Sequence, residues 1–251
     1  MQVFFGTSPR SALFLEKAVN NGLKVDLVVS SPAKPIGKKQ ILTENPTVSV
    51  AKKNNILFTT DLNASVIARN KATKQSQRSP RGKAPRDDIG LILDFNKIIP
   101  PEIINLFPKG IINIHFSKLP QYKGPAPVQY TILNGDKEAW ITYYSINEKV
   151  DAGQILTQTS FPLDMTENQD TLYQKLIEKS AVEIPKIIDD YLCDRVRPCQ
   201  QQGVSSITHK LTAQNCKIDW TKSPEEIERL IRASYPEPGA WAKIEFRIKN
   251  F

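Results

Sequence analysis

Val3-Phe4-Phe5-Gly6-Thr7-Ser8-Pro9, then Ala12, Leu13, Leu15, Ala18 and Val19, then Val25-Asp26-Leu27-Val28-Val29, is the stretch that decides the fold class. The opening apolar run reads as a buried strand, ended by a glycine turn. Ser8 is suited to cap a helix, and Pro9 to take its first position, where a missing N–H leaves nothing unsatisfied. The apolar residues at three- and four-residue steps predict a helix with one buried face. Val25–Val29 is a second β-forming run. Strand, helix, strand predicts a parallel sheet with helices on its faces, an α/β class. A lone glycine after the first strand is weak evidence for nucleotide binding, because G-x-G-x-x-G is absent.

Working outward, residues 30–46 read as a loop punctuated by Pro32, Pro35, Gly37 and Pro46, carrying Lys34, Lys38 and Lys39. A short helix over 48–53, a strand over 56–58 and a helix over 61–68 follow. Arg69, Lys71, Lys74, Arg78, Arg81, Lys83 and Arg86 lie in a segment with no acid and almost no apolar residue, which predicts a basic insertion outside the core. A strand over 89–93, a helix opening at Pro100-Pro101, a strand through 110–115 and a helix over 127–133 come next. Residues 140–146 and 154–159 alternate and predict an antiparallel hairpin at the sheet edge. Leu172, Leu176, Ile177, Ala181, Ile184, Ile187 and Ile188 predict a long amphipathic helix over 168–191. The expected division is a catalytic domain over 1–192, a polar linker over 193–206 and a partial C-terminal unit over 207–251. In that unit Ser223-Pro224-Glu225-Glu226 starts a helix and residues 241–248 alternate like a strand.

Composition narrows the classes. Forty per cent apolar and 24% charged residues suit a globular protein. Cys193, Cys199 and Cys216 make an odd total without C-x-x-C, which fits reduced thiols rather than a disulfide frame or zinc site. No run approaches a membrane span, and the N-terminus lacks the basic region of a signal peptide, so a cytoplasmic protein without membrane contact is expected. Residues 1–100 hold 16 Lys and Arg against 7 Asp and Glu, while residues 101–251 hold 18 against 19. The whole excess of +8 therefore sits in the first hundred residues, as for a surface that meets a polyanion or for a basic surface without a partner.

The chemistry concentrates after Gly110. In Asn113-Ile114-His115 alternate side chains share a face, so Asn113 and His115 project together and Ile114 points away. Val150-Asp151-Ala152-Gly153 places a carboxylate in a turn. The only other histidine is His209, and H-E-x-x-H, G-x-S-x-G and the P-loop are all absent. An amide, an imidazole and a carboxylate are the groups that acyl transfer to an amine requires: two N–H donors for an oxyanion and an acid to orient the ring and relay protons.

The pattern Asn113-x-His115-x-Ser117-x-Leu119-Pro120-x-x-Lys123-Gly124-x-x-Pro127, with Asn134-Gly135-Asp136, Thr142 and Asp151-Ala152-Gly153, resembles the formyltransferase superfamily that uses 10-formyltetrahydrofolate. Phe5-Gly6-Thr7 and residues 88–100 match it too. Pro32-x-Lys34-Pro35-x-Gly37-Lys38 and the entry to the C-terminal unit (Thr208 to Lys210, Ile218-Asp219-Trp220, Ile231-Arg232-Ala233) resemble the members that formylate methionyl-tRNA. The resemblance implies a Rossmann-like, mostly parallel sheet with a short, incomplete, OB-like C-terminal unit. It implies Asn113, His115 and Asp151 as catalytic residues, 10-formyltetrahydrofolate as cosubstrate, no metal, and a monomer that takes initiator Met-tRNA. The folate would lie against Phe95, Asn96, Lys97, Ile98, Ile99, Ser117, Leu119, Pro120, Asn147, Glu148 and Val150. Lys34, Lys38, Lys39, Arg78, Arg81 and Lys123 would face the tRNA. Departures from the family pattern are Lys38 for an arginine, Asn96 for a glycine, Lys118 for a leucine, Lys123 for an arginine and Ala139-Trp140 for Thr-Gly. Asn96 can adopt a positive φ, so the loop is expected to be preserved, and Trp140 is expected to narrow the cleft. The same catalytic residues would serve an enzyme acting on a nucleotide-linked amino sugar, and an inactive folate- or RNA-binding relative could retain them.

Overall fold

The computed structural model describes residues 1–63, 65–68 and 87–244. Strand β1 (Gln2–Phe5) lies between β2 (Leu27–Val29) and β6 (Ile89–Ile92), and the main sheet runs β5-β2-β1-β6-β7-β8-β9. Here β5 is Leu57–Thr59, β7 Ile111–His115, β8 Glu138–Ser145 and β9 Ile155–Pro162. The strands from β5 to β7 are parallel, while β8 and β9 are antiparallel to their neighbours. Both faces of the central parallel strands are covered, so β1, β2 and β6 are apolar almost throughout. Phe4, Val28, Leu91 and Ile112 face one core, whereas Val3, Phe5, Leu27, Val29 and Ile111 face the other.

Helix α1 (Pro9–Asn20) begins as its sequence predicts. Ser8 Oγ accepts from Ser11 N–H, Ser11 Oγ accepts from Ser8 N–H, and Pro9 holds the first position. It packs beside α5 (Gln169–Leu192) through Phe14, Leu15 and Ala18, and Phe14 stacks on Phe4 at 5.7 Å. Helices α2 (Pro46–Lys53) and α4 (Pro127–Leu133) form close to where expected, and α3 (Pro101–Ile104) is one short turn capped by Pro100.

Several expectations need correction. Residues 30–46 are not simply a loop: β3 (Lys34–Ile36) and β4 (Ile41–Thr43) form a separate antiparallel hairpin, with Ile36, Ile41 and Leu42 all exposed. The helix expected over 61–68 is seen at 65–68, with 61–63 irregular. The basic segment 69–86 lies outside the described residues. Helix α6 (Pro224–Ser234) starts where expected, with a Ser223–Glu226 capping box. The strand expected over 241–248 lies mostly outside the described residues, and its first four residues show one bridge, Lys217 to Trp241. No helix among the described residues is long and apolar enough to cross a membrane.

Phe14 is buried between two helices and the sheet, so Phe14→Ala should lower the unfolding free energy by about 3–5 kcal/mol. Denaturant unfolding with an unchanged m-value checks this, and a loss under about 1 kcal/mol would contradict the packing described.

Candidate active site

The carboxyl ends of the parallel strands meet at one edge, where α/β sheets place their ligands. There Thr7, after β1, binds the loop after β6. Its Oγ1 donates to the Asp94 carbonyl at 3.3 Å and accepts from Asn96 N–H at 3.0 Å. Ser8 Oγ donates to Asp94 Oδ2 at 2.5 Å. Asp94, with φ 51, makes the left-handed turn here, and Asn96 is not among the positive-φ residues. The positive φ open to Asn96 is taken two residues earlier, at Asp94. A short side chain that bonds locally tolerates this conformation best, and the Ser8 bond to Asp94 supplies that support.

Strand β7 sends Asn113 and His115 to the same side. It pairs with β8 so that Asn113 lies opposite Tyr144 and His115 opposite Thr142. Antiparallel register then brings the Tyr144 hydroxyl within 2.8 Å of Asn113 Nδ2, which donates to it. The β8–β9 connection returns Asp151, at φ 49, to the same place. Asp151 Oδ1 accepts from Tyr144 Oη at 2.6 Å, and Oδ2 accepts from Gly124 N–H at 2.6 Å and lies 3.8 Å from His115 Nδ1. His115 and Asp151 are both under a tenth exposed. Burial holds the Tyr144 phenol well above the usual tyrosine range, and the Asp151 charge adds to this, so it stays a donor.

His115 Nε2 lies 2.9 Å from the Tyr122 carbonyl. A carbonyl only accepts, so Nε2 carries the proton and Nδ1 is the atom turned to Asp151. Tyr122 has φ 56, and its hydroxyl donates to Asp136 and accepts from Asn134. Burial pushes the Tyr122 phenol up to about 12, with Asp136 contributing and the Asn134 bond opposing. The loop itself hangs on Thr142, whose Oγ1 donates to the Ser117 carbonyl and accepts from Leu119 N–H and Gln158 Nε2. Gly153 touches β8 so closely that a Cβ would lie 1.6 Å from the Ser145 carbonyl oxygen, which explains Gly at that position.

Asn113, His115 and Asp151 line a cavity of about 450 Å³, together with Arg10, Phe95, Asn96, Phe116, Val150 and Tyr173. The other expected folate contacts are dispersed. Asn147 and Glu148 border a neighbouring cavity of about 690 Å³ with Pro101, Ile104 and Ile146. Ser117 faces a third, of about 260 Å³. Trp140 lines that third cavity, with Lys118 Nζ 4.1 Å from its ring, and so does not narrow the main cleft as expected. Leu119 is buried against Tyr144 and Ile155, and Ile99 belongs to the core. Both turn inward because they satisfy packing. Lys97 and Ile98 are exposed, and Pro120 lends its carbonyl to Ser206 N–H. Lys34, Lys38 and Lys39 are exposed on the β3–β4 hairpin, and Lys123 is half-buried, while Arg78 and Arg81 lie outside the described residues. Tyr144, Tyr122 and Gln158 carry no sequence signal that separates them from core or loop residues. Arg10, stacked 3.6 Å above Tyr173, was equally silent. Among the described residues no cluster of three or more His, Cys, Asp or Glu could hold a metal ion.

The switch-point edge of the α/β sheet thus carries an amide, an imidazole and a buried carboxylate around one cavity. Residues 1–188 match the formyl transferase family model, and residues 210–249 match that of its C-terminal domain; the chain belongs to the formyl transferase family and is a formyl-transferring enzyme. It is 30% identical over 249 residues to a methionyl-tRNA formyltransferase of Azobacteroides pseudotrichonymphae genomovar. CFP2, covering 96% of this chain and 74% of that protein. It is likewise 30% identical over 247 residues to one of Bacillus cereus (strain B4264), covering 98% and 76%. Similar solved folds include an N-formyltransferase from Helicobacter canadensis in complex with folinic acid and dTDP-3-aminofucose, with TM-score 0.67, 24% identity and coverage of 97% and 83%. Another is the methionyl-tRNA formyltransferase from Clostridium thermocellum, with TM-score 0.64, 18% identity and coverage of 97% and 88%.

Tyr144→Phe removes the donor to a buried carboxylate, a loss on the order of 1–3 kcal/mol. It should lower kcat for formyl transfer about ten- to a hundredfold with the fold intact; an unchanged kcat would show that Asp151 does not need the bond. For Tyr122 the folded pKa of about 12 lies above the unfolded value of about 10. Its contribution to stability is thus complete below pH ~10 and is lost as pH rises towards 12. Tyr122→Phe should flatten that part of the stability–pH curve, measured by denaturant unfolding.

Proposed function

We propose that the protein transfers the formyl group of 10-formyltetrahydrofolate to the amino group of methionyl-initiator tRNA. The observation that carries this is the convergence of Asn113, His115 and Asp151 on one cavity walled by the Phe95–Asn96 loop. The 30% identity to enzymes of that name over nearly the whole chain supports the acceptor. The residues present suit a flat, partly polar ring: Ile92, Leu93, Phe95 and Phe116 give apolar walls, and the amide and acid groups lie at their inner end. Asn147 and Glu148, in the adjoining cavity, extend the surface available to a long donor molecule.

In the proposed reaction the acceptor amine adds to the formyl carbon. Asn113 Nδ2 and the imidazole of His115 stabilise the resulting oxyanion. Each such donor is typically worth about 3 kcal/mol. Asp151 takes the proton from the attacking amine and returns it to the leaving nitrogen as the second C–N bond breaks. Tyr144 and Gly124 keep the acid fixed while this happens. Lys34, Lys38 and Lys39 on the hairpin, with Lys123, Arg78 and Arg81, are assigned to the tRNA backbone. Lys38 is a point charge and makes no bidentate fork with phosphate. The division into 1–192, a linker over 193–206 and a C-terminal unit over 207–251 is supported by the family models, which end at 188 and resume at 210. A cytoplasmic monomer completes the reading.

The test supplies 10-formyltetrahydrofolate with either charged initiator tRNA or a nucleotide-linked amino sugar. Formyl-methionyl-tRNA is the expected product, with a KM that rises steeply with salt. Product from the amino sugar alone would move the acceptor to that class, and product from neither would leave a binding protein. His115→Ala should lower kcat by at least about two orders of magnitude; near-normal turnover would remove its assigned role.

A further inference from the structure

Residues 199–208 run back from α5 across the underside of the loops that carry the site. Cys199 and Ile155 exchange both backbone bonds at 2.8 Å, adding a short edge to β9. Gln201 Nε2 then donates to the carbonyls of Asp151 and Gly153, each at 2.9 Å. Two carbonyl acceptors fix which end of this amide is nitrogen. At the far end Ser206 Oγ accepts from Tyr122 N–H at 2.8 Å, Ser206 N–H donates to the Pro120 carbonyl, and the Ser206 carbonyl accepts from Lys123 N–H. Thr208 bonds the Lys123 carbonyl through both its N–H and its Oγ1, which also accepts from Ala126 N–H.

Two of these contacts fall on groups bonded to His115 and Asp151. Tyr122 gives its N–H to Ser206 and its carbonyl to His115 Nε2. Gly124 gives its N–H to Asp151, and a Cβ on it would lie 2.8 Å from the Thr208 carbonyl oxygen. Tyr122 and Asp151, at φ 56 and 49, both sit in the left-handed region, which is unfavourable for a residue with a Cβ. Such conformations persist where the surroundings over-determine them. Residues 199–208 supply those surroundings at both positions.

We propose that this segment is a positioning strap, with Ser206 and Gln201 as its positioning residues. Ser206 fixes the Tyr122 carbonyl, and through it the imidazole tautomer that turns Nδ1 to Asp151. Gln201 fixes the backbone from which the Asp151 carboxylate is presented. Without the Ser206 oxygen, Tyr122 relaxes from positive φ, its carbonyl leaves Nε2, and the ring loses its single orientation. The consequence for rate rests on the proposed formyl transfer; the consequence for the ring does not.

The chain has two histidines, so histidine ring 15N signals resolve His115 from His209, with His115→Ala giving the assignment. In the wild type the neutral His115 ring should show the Nε2–H tautomer. Ser206→Ala should shift it towards a mixture and lower kcat about ten- to a hundredfold, as for small misplacements of reacting groups, with little change in KM or Tm. Ser206→Thr, which keeps the oxygen, should restore both. Gln201→Glu cannot donate to the two carbonyls and should lower kcat in the same way. Adding Ser206→Ala to His115→Ala should cost nothing further. Wild-type ring signals in Ser206→Ala, an unchanged kcat, or a loss of activity that merely follows a loss of folded protein would each overturn the strap. If His115→Ala is itself fully active, the functional reading fails, and the ring signals still judge the strap.

Discussion

One buried carboxylate sets the geometry of this protein. Asp151 leaves water almost completely, and a charge in that position is tolerated only when its oxygens are met by donors. Its donors come from two separate places, the Tyr144 hydroxyl on β8 and the Gly124 amide in the loop after β7, and the His115 ring on β7 lies beside it at 3.8 Å. Removing one donor strands the charge, so the three elements hold one another in place. The Tyr144 hydroxyl is also the acceptor for Asn113, which ties the amide into the same array.

The change of direction in the sheet makes this array possible. As far as β7 the strands are parallel, and their polar ends gather at one edge. Strand β8 then runs antiparallel and presents Tyr144 directly across from Asn113. The β8–β9 turn opens beside the same edge and delivers Asp151 there. The close approach of Gly153 to β8 leaves no room for a looser turn. The convergence of these side chains follows from sheet register, in which a shift of one residue would reverse every side chain.

Much of this was legible in the sequence. The Ser8–Pro9 helix start, the shared face of Asn113 and His115, and the hairpin bearing Asp151 all follow from short-range periodicity and capping chemistry. The β3–β4 hairpin was hidden because Pro32, Pro35 and Gly37 are turn signals, and strands of three residues are too short to show alternation. Tyr143 and Tyr144 are adjacent and alike, yet one donates to Glu183 on α5 and the other to Asp151. Only the register of β8 separates them. Residues 193–206 read as a linker because their composition is polar. The partners of Gln201 are main-chain atoms about fifty residues earlier in the chain, and no local pattern encodes such a contact.

The reach of those late contacts bears on how the molecule matures. A ribosome releases the chain from its N-terminus, and early segments begin to fold while later ones are still being made. The sheet as far as β9 is complete in sequence by Pro162, but the backbone around Tyr122 and Lys123 lacks its partners until Ser206 and Thr208 have emerged. Nascent chains that stop short of that point can assemble the hydrophobic layers and still present an unfinished pocket.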